Sequence, residues 1–135
     1  MRTITFNADG TRTVTDNRTL ADAQAEAFAR IDAEFAARIA AGMQHAGRPV
    51  EIDEASTARM NAAASLHLAG IFPAGFEWRM GDNGFLPITG PQMVALAAAA
   101  AARVLALRKA RWAARDAIRA ATTREAADAV TATWP

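Results

Sequence analysis

The chain has 135 residues, a formal net charge of +1 and no cysteine. That length suits a single-core domain, and the lack of thiols excludes disulfides and thiolate metal sites and fits a cytoplasmic origin. Hydrophobic residues make up 52% of the chain, but 37 of them are alanine, so the core must rely on the larger apolar minority, on close helix approach or on self-association.

The chain begins Met-Arg-Thr-Ile-Thr-Phe, without the apolar stretch of a signal peptide. Residues 3–6 and 11–15 are rich in β-branched side chains and flank Asn7-Ala8-Asp9-Gly10, whose Asp-Gly pair predicts a turn and hence an amino-terminal β-hairpin. From Thr19 the signals become helical. Thr19 and Asp22 have capping-box spacing, and Phe28, Ile31, Phe35 and Ile39 recur on one face, which predicts a helix to about Gly42 or Ala46. Gly47-Arg48-Pro49 reads as a break, dividing an arm of residues 1–47 (hairpin plus amphipathic helix) from a domain of residues 48–135.

Asp53 or Ser56 can cap a second helix, with Met60, Ala63, Ala64 and His67 on its inner side and Gly70 at its end. Phe76, Trp78 and Met80 then alternate with Glu77 and Arg79, and Asn83-Gly84 favours a tight turn, so a hairpin is predicted over about 76–88. Thr89 or Gly90 caps the long helix that follows, with Pro91 in its first turn. Two apolar stripes run along it: Met93, Ala97, Ala100, Val104 and Leu107 form one, and Val94, Ala98, Ala101, Leu105 and Trp112 the other. Its longest unbroken apolar run, Met93 to Ala102, is about half the ~20 residues that cross a membrane, so insertion is not expected. Thr122-Thr123 begins a short last helix. The expected fold is mainly α within the α+β class: a small helical bundle with a long C-terminal helix and two β-hairpins.

Charge is unevenly spread. Residues 1–90 carry 8 arginines against 11 acids, whereas residues 91–135 carry 7 basic residues against 3 acids. The basic excess collects on Arg108, Arg111, Arg115 and Arg119, around Trp112, which reads as a core anchor or an interface residue. A solvated face or an acidic protein partner explains this stripe better than nucleic acid, because the chain has no Tyr and is only modestly basic.

No catalytic constellation stands out. His45 and His67 lack the partners of a metal or triad site, and Glu51, Asp53 and Glu54 sit where a helix start favours negative charge. Asp82-Asn83-Gly84 lacks the alternating oxygens of a calcium loop. Glycoside hydrolysis needs two facing carboxylates that the pattern does not supply, so the chain reads as a non-enzyme without cofactor or metal.

Between Phe76 and Ala121 the arrangement of Trp78, Asp82, Asn83, Phe85, Pro87, Met93 and Leu96, ending in Asp116-Ala117-Ile118, resembles a family of short phage and prophage proteins known as a domain of unknown function and associated with tail fibres. The resemblance covers roughly residues 48–135, including Asp53, Ser56 and the closing Trp134-Pro135, and departs from the pattern at Arg103, where His is expected, and at Arg115, where Lys is usual. It implies a binding protein that assists tail-fibre folding, trimerisation or attachment in the bacterial host cytoplasm, or alternatively a tail or fibre-tip component retained in the virion. The implied partner is a tail or tail-fibre protein, with homo-oligomerisation as an option and neither nucleic acid nor membrane. The expected contact residues are Asp82, Asn83 and Phe85 at the hairpin tip and Arg108, Arg111, Trp112 and Arg115 on the long helix.

Overall fold

A computed structural model describes all residues, Met1–Pro135. Its order is β1 (Arg2–Phe6), β2 (Arg12–Asp16), α1 (Leu20–Ala41), β3 (Met43–His45), β4 (Arg48–Val50), α2 (Glu54–Leu68), β5 (Glu77–Arg79), β6 (Phe85–Pro87), α3 (Gly90–Ala120) and α4 (Arg124–Ala129). Helices fill more than half of the chain, and the strands form three separate antiparallel hairpins, as the mainly helical α+β expectation required.

The helix starts follow local chemistry. At α1 the Thr19 amide donates to Asp22 at 2.8 Å and the Asp22 amide to the Thr19 hydroxyl at 3.1 Å, a reciprocal capping box. Asp53 caps α2 by accepting from the Ser56 amide at 2.7 Å, and Thr123 caps α4. Thr89 and Gln92 make the reciprocal pair at α3.

The expected break at residues 47–49 is a hairpin turn. β3 pairs with β4 through His45↔Arg48, and the two residues between them, Ala46 and Gly47, have φ of 52° and 73°. That is the type I′ geometry whose twist suits a two-residue hairpin. Gly42, at φ 70°, makes the exit from α1, and a Cβ there would collide with the Val50 carbonyl oxygen.

Two compact units result, and their borders fall inside α1 and α3 rather than at 47/48: one holds residues 1–33 and 110–134, the other 34–109 with Pro135. In the first, Ala27 and Ile31 of α1 meet Ala114 and Ile118 of α3, with Phe28, Val130, Ala132 and Trp134 packed around them. Gln24 donates to the Ile118 and Ala121 carbonyls at 3.1 and 3.3 Å, tying α1 to the end of α3. In the second unit Val50, Ile52, Met60, Met80, Met93, Leu96 and Leu107 are buried.

The first apolar stripe of α3 is inside as expected, with Met93, Ala97, Ala100 and Leu107 buried. The second is not: Leu105 and Trp112 are 47% and 51% exposed, and Ala98 and Ala101 are exposed too. Periodicity alone cannot say which of two apolar stripes finds a neighbour. By length and composition α3 would serve as a membrane-crossing helix, a property that core helices of globular proteins share.

Candidate functional site

The β5–β6 tip is braced from behind. Arg48, at the start of β4, donates to both carboxylate oxygens of Asp82 at 3.1 and 2.9 Å and to the Phe85 carbonyl at 2.9 Å. The guanidinium beside it holds the Asp82 carboxyl below its usual range. Asp82 also accepts from the Gly84 amide at 2.9 Å, and Asn83 sits at φ 65° and accepts from Arg79 at 3.1 Å. Of the three tip residues expected to make contacts, Asp82 is therefore an internal ion-pair partner, whereas Phe85 is 55% exposed with Arg79 over its ring.

A cleft of about 400 Å³ lies next to this hairpin, lined by β5 and by Glu51, Ser56 and Arg59. Ser56 is buried and fully engaged: its hydroxyl is within hydrogen-bond distance of Asp53 at 3.2 Å and accepts from Arg59 at 3.1 Å. Glu51 and Glu77 bring negative charge to the cleft and Arg59 and Arg79 positive, with Trp78 between.

The basic stretch of α3 divides into residues with and without internal work. Arg111 and Arg115 both bind Asp32 of α1, at 2.8 and 2.7 Å, and hold its carboxyl below the usual range. Arg115 also lies 4.5 Å from the centre of the Phe28 ring, a cation–π contact. Arg119 pairs with Asp116. Neither a solvated face nor an outside acidic partner is therefore needed to account for Arg111 and Arg115, whose internal partner is 79 and 83 residues away in sequence. Trp112 is half exposed rather than a core anchor. Arg108 is exposed and lines a smaller cleft of about 210 Å³ with Phe35, Ile39, Ile52 and Val104.

Sequence reasoning did not single out the amino-terminal hairpin as a surface. Its register, Arg2↔Asp16, Ile4↔Val14 and Phe6↔Arg12, sets Ile4, Val14 and Phe6 on one face and Thr3, Thr5, Thr13 and Thr15 on the other. Ile4 and Val14 are each 52% exposed and Phe6 80%. Alternation in Thr-Ile-Thr-Phe and Thr-Val-Thr carried that two-faced character, but nothing local told that the apolar face would stay uncovered.

The hairpin's base is fixed by charge. Arg18 is buried, and its guanidinium donates to Asp16 at 2.7 Å, Asp128 at 2.6 Å and Glu26 at 2.5 Å. Hydrogen bonding to Asp16 first, then to Asp128, raises the Arg18 pKa, and Arg18 in turn lowers those of Asp16 and Asp128. Arg2 joins Asp128 at 2.6 Å, and Arg124 donates to the Asp16 and Arg18 carbonyls at 2.7 and 2.8 Å.

Fold and surfaces together define a small helical domain with three hairpins, two of which carry exposed aromatic side chains on or beside their strands. Residues 22–131 match the family model described as Domain of unknown function (DUF4376), and the chain belongs to that family. The match takes in all but the first two residues of α1 as well as residues 48–131. No curated protein and no solved structure matches the chain.

Proposed function

We propose that this protein binds a phage or prophage tail-fibre protein and assists its folding, trimerisation or attachment, acting by protein–protein contact rather than by catalysis. The observation that carries this reading is the amino-terminal ribbon, which is anchored at its base by the Arg18 cluster and presents Ile4, Phe6 and Val14 outward with no covering element. Such a ribbon suits a partner with exposed strands and apolar surface, as a slender fibre has while it assembles. The tail-fibre assignment rests on the sequence resemblance around Trp78, Asp82 and Asn83.

Co-expression with the fibre protein and affinity capture tests it. The wild-type chain should retain the fibre protein, and the triple variant Ile4→Ser, Phe6→Ser, Val14→Ser should fold normally and lose it. Equal capture by both chains rejects the ribbon as the contact surface, and capture by neither rejects the fibre partner. Quantitative mass spectrometry of purified particles beside their lysate separates a transient helper, present only in the lysate, from a component that stays in the virion at a fixed ratio to the fibre.

A further inference from the structure

The two edges of the β5–β6 hairpin are treated differently. Ile88 donates to the Phe76 carbonyl and Met80 to the Gly84 carbonyl, so in register Trp78 bonds Leu86, and the backbone groups of Glu77 and Arg79 on one strand and of Phe85 and Pro87 on the other point outward. The β6 edge is closed. Pro87 has no N–H to offer, and the Phe85 carbonyl already accepts from Arg48. The β5 edge is open over Glu77–Arg79, where no donor or acceptor meets the backbone and the cleft of about 400 Å³ runs beside Phe76–Met80, and it ends at Gly81, whose amide donates to the Pro49 carbonyl at 2.8 Å.

An open edge is a template for another strand, and the side chains say which one. Glu77-Trp78-Arg79 is self-complementary when run antiparallel. Turned about a two-fold axis through Trp78, Glu77 of one copy falls opposite Arg79 of the other, Arg79 opposite Glu77, and Trp78 opposite Trp78. Both charge pairs occupy the positions whose N–H and C=O groups point outward, so each also exchanges two main-chain hydrogen bonds. The tryptophans occupy the intervening non-hydrogen-bonded position, where Cα atoms approach to about 4.5 Å and side chains touch most closely. Register, hydrogen bonding and charge agree on one alignment.

We infer that β5 is a homodimerisation edge, at which two copies join their β5–β6 hairpins into one four-stranded antiparallel sheet across a two-fold axis. β2 has a similar pattern, with Arg12 and Asp16 around Val14, but it is not available. The Asp16 carboxylate is held by Arg18 and its outward carbonyl by Arg124. With three residues per strand the contact is smaller than the ~1,200 Å² of a stable interface, so the dimer is a weak one that forms in the micromolar to millimolar range.

Charge reversal tests the alignment directly by sedimentation equilibrium across concentration, with circular dichroism to check folding. Glu77→Arg alone sets Arg opposite Arg, and Arg79→Glu alone sets Glu opposite Glu, so each should weaken self-association by about tenfold or more. The double variant E77R/R79E restores both pairs and should dimerise like the wild type. The sharper result is a mixture: E77R and R79E, each monomeric alone, should form a one-to-one heterodimer. A wild-type chain that stays monomeric to millimolar concentration overturns the inference, as does self-association that neither reversal weakens or a mixture that remains monomeric.

Discussion

The hairpins β1–β2 and β5–β6 share a loop design. Each closes through three residues, with a turn hydrogen bond across the first part (Gly10 N to Asn7 O at 3.1 Å; Asn83 N to Met80 O at 3.0 Å) and a left-handed residue at the third position, Gly10 or Asn83. Each also has an aspartate at the second position that accepts from the amide two residues on, Asp9 from Thr11 and Asp82 from Gly84, both at 2.9 Å. What differs is the anchor. β5–β6 sits between buried Met80 and Ile88, whereas nearly every residue of β1–β2 is exposed and the ribbon is held by charges at its base. Local sequence writes a hairpin; its attachment decides whether it behaves as part of a core or as a presented surface.

That contrast can be broken from the packing side first. Met80 is 3% exposed, so Met80→Ala should destabilise the fold by about 2–5 kcal/mol in denaturant titration. Val14→Ala, on the exposed ribbon, should stay within about 0.5 kcal/mol of wild type. A large loss at Val14 would mean that the ribbon's apolar face is covered in solution. Next comes the charge side. Arg18→Met leaves Asp16, Glu26 and Asp128 without their shared partner, so amide hydrogen exchange at Thr5 and Thr13 should lose protection while Trp78 and Leu86 keep theirs. Uniform loss along the chain would show that the base and the core form one cooperative unit.

Acid should produce a milder version of the same separation. The carboxyls of Asp16 and Asp128 are held below their ordinary value of 3.8 by hydrogen bonds from Arg18, so the folded state binds fewer protons there than the unfolded chain. Their contribution is complete above about pH 4 and is lost as pH falls through the lowered folded values. Asp82 follows the same rule through Arg48, but its hairpin also has Met80 and Ile88. NMR shifts of β1–β2 should therefore move toward random coil at a higher pH than those of β5–β6.

What was legible in the sequence was what is local. The Thr19–Asp22 capping box and the Asp9-Gly10 turn are decided within four residues and form as read; of the two candidate caps for α2 it is Asp53 that accepts, and the Asn83-Gly84 turn forms as a three-residue loop in which Gly84 pairs with Met80. The Arg18 cluster was not legible, because Asp128 lies 110 residues from Arg18 and only folding makes them neighbours. The same reason hid Asp32 from Arg111 and Arg115, and so made those arginines look available for a partner. Trp112 and Leu105 failed differently: their spacing was right for burial, but periodicity does not supply the second surface.

The third hairpin shows where a sequence signal was weak because the residue is poorly suited to its place. A two-residue loop with both φ values positive favours Asn or Gly at its first position, and this chain has Ala46 at φ 52°. Left-handed backbone costs a residue with a Cβ about 1–2 kcal/mol, and glycine returns part of that gain by adding freedom to the unfolded chain. Ala46→Gly should thus stabilise the protein by about 0.5–1 kcal/mol, a small rise in Tm, and Ala46→Asn should gain similarly. Ala46→Val should do the opposite, since branching at Cβ worsens the same clash. Should Ala46→Gly destabilise instead, the β3–β4 turn does not hold Ala46 in left-handed backbone, and residues 47–49 would revert to the break that their composition suggests.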